Sequence, residues 1–248
     1  PISRRGSSWG SVFWGVCLVL ACELPAYASP GTAVESREVR EWLMRIHNAA
    51  SQRNFQGTFV VSSPGVVSSA RISHFHEGAD QFERIEPLEG QARQVLRHNG
   101  IVHTVWPGEK VALIEQREVL NSFPSLLLDG DDRITDVYEV QAQKGERVAG
   151  HDANVLTLKP RDEYRYAYRL WAERESGLLL RVEVLNVLGE VLEVSAFSDV
   201  VIGVRAQPEI VLQPMRKLAG YRVIKPALQA TALDAEGFQA VQIRTGDG

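Results

Sequence analysis

Apolar side chains first recur at Val39, Trp42, Leu43, Ile46, Ala49 and Ala50, steps of three and four residues that predict one amphipathic helix over 36–53. Ser36 is placed to cap its amino end, and Glu38 and Glu41 sit favourably in its first turns. The Trp42 face of such a helix must bury against something. From Gly57 the period falls to two. Strands are predicted over 58–63, 69–76, 81–85, 93–97, 101–106, 110–115, 134–141, 154–158, 164–172, 178–185 and 190–202. Turn signals separate them, among them Pro64-Gly65, Glu77-Gly78, Asn99-Gly100, Pro107-Gly108 and Leu188-Gly189. Asn99-Gly100 is the strongest hairpin signal, because both residues tolerate the positive φ of a primed turn. Connections this short join antiparallel neighbours, since parallel ones need a long crossover.

These elements predict an α+β fold, a large curved antiparallel sheet covered by helices. A sheet this wide curls, and a curled sheet under a helix tends to enclose an apolar space. The segment 119–133, with Phe123-Pro124-Ser125-Leu126-Leu127-Leu128 followed by an acidic turn, reads as an insertion packed over the sheet. After Gly203 the texture changes. Residues 205–220 contain Pro208, Pro214 and Arg216-Lys217 and read as a linker, and 221–248 as the opening of a second, smaller domain. The principal domain is expected over 29–204.

The first 28 residues follow other rules. Arg4-Arg5, an apolar run around 12–21 and Ala26-Tyr27-Ala28 together read as a cleaved secretory signal. A membrane anchor needs a longer and purer apolar run. Both cysteines, Cys17 and Cys22, lie in this segment, so the chain beyond it has no thiol for disulfides, nucleophilic catalysis or metal ligation. Removing Arg4, Arg5 and Glu23 moves the formal net charge from -4 to -5. That mild acidity offers no footprint for nucleic acid.

Catalytic signatures are missing: there is no Gly-x-Ser-x-Gly elbow, phosphate-binding loop or dinucleotide fingerprint. His74 and His76 point to one face of a strand, with His98 and His103 on the next hairpin, but no adjacent carboxylate pair completes a metal set. Hydrogen-bonded imidazoles are the simpler reading. Asp129, Asp131 and Asp132 lack a Glu at the calcium-loop interval. No catalytic residue, cofactor or metal is assigned. The most distinctive stretch is 161–171. One face of a strand there carries Tyr164, Tyr166, Tyr168 and Leu170, and the other Arg165, Ala167, Arg169 and Trp171. Two readings fit: a cross-strand ladder with arginines on the solvent face, or an aromatic wall for an apolar ligand with arginines near its anionic head.

Several ordered pieces resemble the RseB/MucB family of periplasmic regulators of envelope stress. They are Asn54-Phe55-Gln56-Gly57-Thr58-Phe59-Val60, Arg71-Ile72-Ser73-His74, the run from Glu83 to Gly90, Gln94-Val95-Leu96-Arg97, and 161–171 followed by Ser176-Gly177-Leu178-Leu179-Leu180-Arg181. The resemblance implies a half-open barrel of the LolA/LolB type, located in the periplasm. It implies a negative regulator of an extracytoplasmic-stress sigma factor that binds the periplasmic part of a membrane anti-sigma factor and shields it from proteolysis. Lipid, lipopolysaccharide or lipoprotein acyl chains would be the sensed signal. A lipoprotein carrier or lipid chaperone on the same fold is the alternative, and an enzyme is not expected. Phe59, Trp106, Tyr166, Tyr168 and Leu170 are the candidates for the wall of an acyl-chain cavity, with ordinary core packing as the competing role for each.

Overall fold

The computed structural model describes residues 32–33, 36–116, 134–232 and 239–244; the segment 1–28 read as a secretory signal and the segment 119–133 read as an insertion lie outside the described residues. A two-residue strand β1 (Thr32–Ala33) precedes helix α1 (Ser36–Gln52). Six strands follow in succession: β2 (Phe55–Ser63), β3 (Val66–Glu77), β4 (Asp80–Pro87), β5 (Gln94–His98), β6 (Ile101–Trp106) and β7 (Val111–Gln116). A single helical turn, α2 (Ile134–Val137), leads into β8 (Tyr138–Val148), β9 (His151–Pro160), β10 (Ala167–Glu173), β11 (Leu179–Leu185) and β12 (Val191–Ile202). Helix α3 (Glu209–Arg216) and strand β13 (Arg222–Ile224) come next, and β14 (Ala227–Ala232) pairs with β15 (Gln239–Arg244) as a separate two-stranded sheet.

All the other strands share one sheet in the order β1-β8-β9-β10-β11-β12-β2-β3-β4-β5-β6-β7-β13. Two meanders, β2 to β7 and β8 to β12, are joined where β12 lies antiparallel to β2, with Ile202 opposite Phe55 and Val194 opposite Ser62. The eleven predicted strands correspond to β2 through β12. The sheet is antiparallel except at one edge, where β13 runs parallel to β7. This makes it a mixed sheet.

Why the elements form is legible residue by residue. In α1 the stripe Val39, Leu43, Ile46 and Ala49 is buried, at most 3% exposed, and Trp42 packs half-buried beside it. The stripe covers Val140, Leu156, Leu158, Leu170 and Ala172 of the β8–β10 sheet face. Alternation puts Trp171 and Arg169 on the opposite face there. Arg45 ties α1 to the β10–β11 turn, with its guanidinium donating to the carbonyls of Arg174 and Glu175, the latter at 2.7 Å. At the seam of the meanders, Gly57 is required: a Cβ there would lie 2.3 Å from the Asp199 carbonyl oxygen, where β12 bulges between Phe197 and Asp199.

The segment 205–220, expected as a linker, carries α3. Val211 is fully buried there against Phe75, Phe82, Leu96, Val105 and Ala112. By strand alternation these residues are on the sheet face opposite to that of Ile72, Ile85 and Val95. The chain then adds β13 to the sheet edge, fixed at its start by the Arg222 amide donating to the Lys110 carbonyl at 2.8 Å.

Candidate functional site

Strands β9, β10 and β11 run to one rim of the sheet, where the 161–166 loop and the 186–190 turn stand side by side. Asp162 shapes the loop: its carboxylate accepts the Tyr164 amide at 3.0 Å and pairs with the Arg165 guanidinium. This local bonding competes with the ladder, so β10 starts at Ala167 rather than at Tyr164. Asn186 organises the other side, its side-chain oxygen accepting the Leu188 and Glu190 amides at 2.9 Å each.

Between the loop and the turn opens a cavity of about 770 Å³. Ala167, Leu185, Val187 and Leu188 give it apolar walls, and Thr157, Lys159 and Arg169 bring polar groups to them. Arg169 belongs to a charged cluster. Its guanidinium pairs with Glu183 at 2.6 Å, and Arg181 pairs with the same carboxylate. The Glu183 side chain is only 5% exposed, so one buried anion holds two cations that also stack on Trp171, at 5.6 and 4.9 Å from its ring centre. The Trp171 indole N–H donates to Glu146 at 2.7 Å. Arg169 is the member of this cluster that lines the cavity, where Asp162 and Glu163 stand as well.

The five residues proposed from sequence do not gather in one place. Leu170 is fully buried beneath α1, opposite Leu156 and Val182. Tyr168 packs at the edge of that cluster, its ring 6.4 Å from Tyr138. Burial raises both phenols above their ordinary pKa, so each is neutral. Phe59 packs in the seam, edge-on to Phe197 at 5.2 Å. Trp106 ends β6, half-buried and opposite Val111. Tyr166 stands 54% exposed on the loop before β10. None of the five lines the 770 Å³ cavity. In sequence, Leu188-Gly189 signals only a turn; the mark of this site is a pair of bulky apolar residues, Val187 and Leu188, at an exposed turn.

Three of the six histidines have individual partners. His74 stacks on Phe55 at 5.1 Å, with Nδ1 3.0 Å from the Arg53 carbonyl. His98 stacks on Phe82 and pairs with Asp80 at 3.0 Å, and His151 Nε2 lies 2.9 Å from the Val200 carbonyl. Among the described residues no three His, Cys, Asp or Glu side chains converge, and no helix is long and apolar enough to cross a membrane.

A broad sheet with helices packed on it and a largely apolar cavity edged by charges of both signs suit a binding protein. The chain belongs to the MucB/RseB family: the family's profile, described as the MucB/RseB N-terminal domain, matches residues 38–215. Among curated relatives, the sigma factor AlgU regulatory protein MucB of Pseudomonas aeruginosa is 32% identical over 67% of this chain and 52% of its own length. The sigma-E factor regulatory protein RseB of Haemophilus influenzae is 22% identical over 70% of this chain and 55% of its own. The solved complex of P. aeruginosa MucA and MucB matches with a TM-score of 0.58 at 26% identity, covering 80% of this chain and 67% of that one. These are regulatory proteins rather than enzymes. The chain spans about half the length of the curated relatives it matches.

Proposed function

We propose that this chain is the sheet domain of a periplasmic negative regulator of an extracytoplasmic-stress sigma factor. It binds the periplasmic part of a membrane anti-sigma factor, shields that part from proteolysis, and loosens its hold when acyl chains of lipid, lipopolysaccharide or lipoprotein occupy an apolar cavity. The observation that carries the reading is the solved MucA–MucB complex, to which this chain is similar in fold at 26% identity over the matched region. What supports the sensing part is chemical. Leu185, Val187 and Leu188 offer apolar surface to a chain, while Lys159 offers a cation at its edge, beside Asp162 and Glu163. The two ligands are linked if they prefer different conformations, and each then weakens the other by the same factor.

The test is a calorimetric titration of the protein with the periplasmic anti-sigma segment, with and without lipopolysaccharide. Binding that lipopolysaccharide weakens is expected, together with slower proteolysis of the segment. Ala167→Trp, which fills the cavity, is expected to abolish the lipid effect while leaving segment binding. No binding of the segment refutes the regulatory reading, and an unchanged lipid effect in Ala167→Trp removes this cavity from it.

A further inference from the structure

Thirteen large apolar side chains among the described residues are more than a third exposed, and eight of them stand on the same rim of the sheet. They come from connections that are neighbours in the strand order β9-β10-β11-β12-β2-β3-β4. The 161–166 loop contributes Tyr164, 94% exposed, and Tyr166. The 186–190 turn contributes Val187 and Leu188, and the β2–β3 hairpin contributes Val66 and Val67. Val191 and Leu88 extend the row inward. At the opposite rim, the turns at 78–79, 99–100, 149–150 and 174–177 present Gly, Ala, Asn, Arg, Glu and Ser, with Ile101 and Val201 as the exposed apolar side chains beside them.

Two properties of this row decide what covers it. Val66 and Val67 are consecutive in a strand, so they point to opposite faces, yet they are 62% and 64% exposed. A flat protein partner covers one face of a ribbon; a fluid apolar medium takes both. The exposed charges between the tips are mixed in sign, Arg161, Glu163 and Arg165 on the loop and Glu190 on the turn. That pattern complements headgroups carrying both phosphate and ammonium. Tyrosines beside arginines at a polar boundary suit the same surface, because each has an apolar body and a polar end.

We propose that this rim is a lipid-docking edge, whose three tips enter the headgroup and upper acyl layer of a phospholipid bilayer. The 770 Å³ cavity shares Val187 and Leu188 with that edge, so docking sets its mouth at the bilayer surface. The proposal goes beyond the anti-sigma reading and does not depend on it.

The experiment is flotation of the protein with vesicles of phosphatidylcholine alone, and of phosphatidylethanolamine with a quarter phosphatidylglycerol. Binding to both is expected, persisting at high salt because burial of apolar tips drives it. The double variants Val66→Asp/Val67→Asp and Val187→Asp/Leu188→Asp are each expected to lower partitioning by about tenfold or more. These side chains are exposed, so circular dichroism and the melting temperature are expected to stay unchanged. An opposite-rim control, Ala79→Asp, is expected to bind as the parent does. Failure to bind either vesicle overturns the proposal, as does undiminished binding by both variants. Binding only to the anionic vesicles and lost in salt overturns it in favour of simple charge attraction. Self-association that the same variants dissolve, with no vesicle binding, assigns the row to a second copy of the chain. Titration with the anti-sigma segment is read separately, so failure of one reading does not count against the other.

Discussion

Arg84 Nη1 donates to the Ile210 carbonyl over 3.1 Å, and that carbonyl is open because Pro214, four residues on, has no amide hydrogen to give it. The same guanidinium reaches Glu86 at 2.7 Å, so a strand of the first meander carries the polar latch that holds α3 in place. Replacing Arg84 with Met is expected to cost about 1.5–3 kcal/mol in urea unfolding, the range for a hydrogen bond involving a charged group. Pro214→Ala restores the helical donor. In that background the cost of Arg84→Met is expected to fall, and a double-mutant cycle measures the difference. Equal costs in both backgrounds would disprove the link.

The buried stripe of α1 makes a graded prediction. Leu43→Ala is expected to destabilise the protein by about 2–5 kcal/mol, because Leu43 is 1% exposed in a filled cluster. Trp42→Ala is expected to cost less than a fully buried Trp would, since the indole is only half-buried. Guanidinium midpoints of the two variants check the order.

Gly57→Ala is expected to cost about 3 kcal/mol or more. The added methyl meets backbone at the β12 bulge, which cannot move aside as a flexible side chain would. Thermal melting should show a drop of roughly 6–12 °C for a domain of this size. A melt like the parent's would mean that the seam adapts.

Acid is expected to weaken the fold in two stages. Burial holds the His74 imidazole below its ordinary pKa of 6.5, and burial together with the Lys225 charge does the same for His103. The folded state therefore binds fewer protons than the unfolded one, so this contribution is present above about pH 6.5 and is lost as pH falls toward the lowered folded values. For Glu173, burial alone would raise the carboxyl. Hydrogen bonds from the Ser176 hydroxyl and amide and the Glu175 amide outweigh it and hold the group below its ordinary 4.5. Its contribution is present above that value and disappears below it. Urea midpoints measured from pH 8 to pH 3 are expected to fall in both windows. His103→Asn should flatten the upper slope, and Glu173→Gln the lower one while costing stability at neutral pH.

Much of the fold could be read from the period of the side chains. The pattern predicts β6 at its observed limits and α1 to within a residue, because both elements satisfy local rules. The failures share a cause. Pro208 and Pro214 read as breakers of 205–220, yet Pro208 caps α3 with a φ of -55° and the bond lost to Pro214 is supplied by Arg84, far away in sequence. Tyr164 and Tyr166 alternate as a strand does, but Asp162 captures the Tyr164 amide and bends the chain first. The start of 134–141 forms α2, a single turn too short for any period. The cavity has no local signature for another reason: its walls come from the ends of three strands, a loop and a turn, and no local pattern marks where they converge.

Among the described residues, the ladder joining β12 to β2 is where the two meanders pair within the sheet, and it brings together Phe55 and Ile202. Each meander can assemble by closing short loops, whereas their union must close a long one. The entropy of that closure grows only logarithmically with length, so it taxes stability little, but distant pairings retard assembly. Two ribbons forming fast and a slow zippering of one against the other is the kinetic signature this topology sets, and the bulge at Phe197 and Asp199 lies on the line along which it must finish.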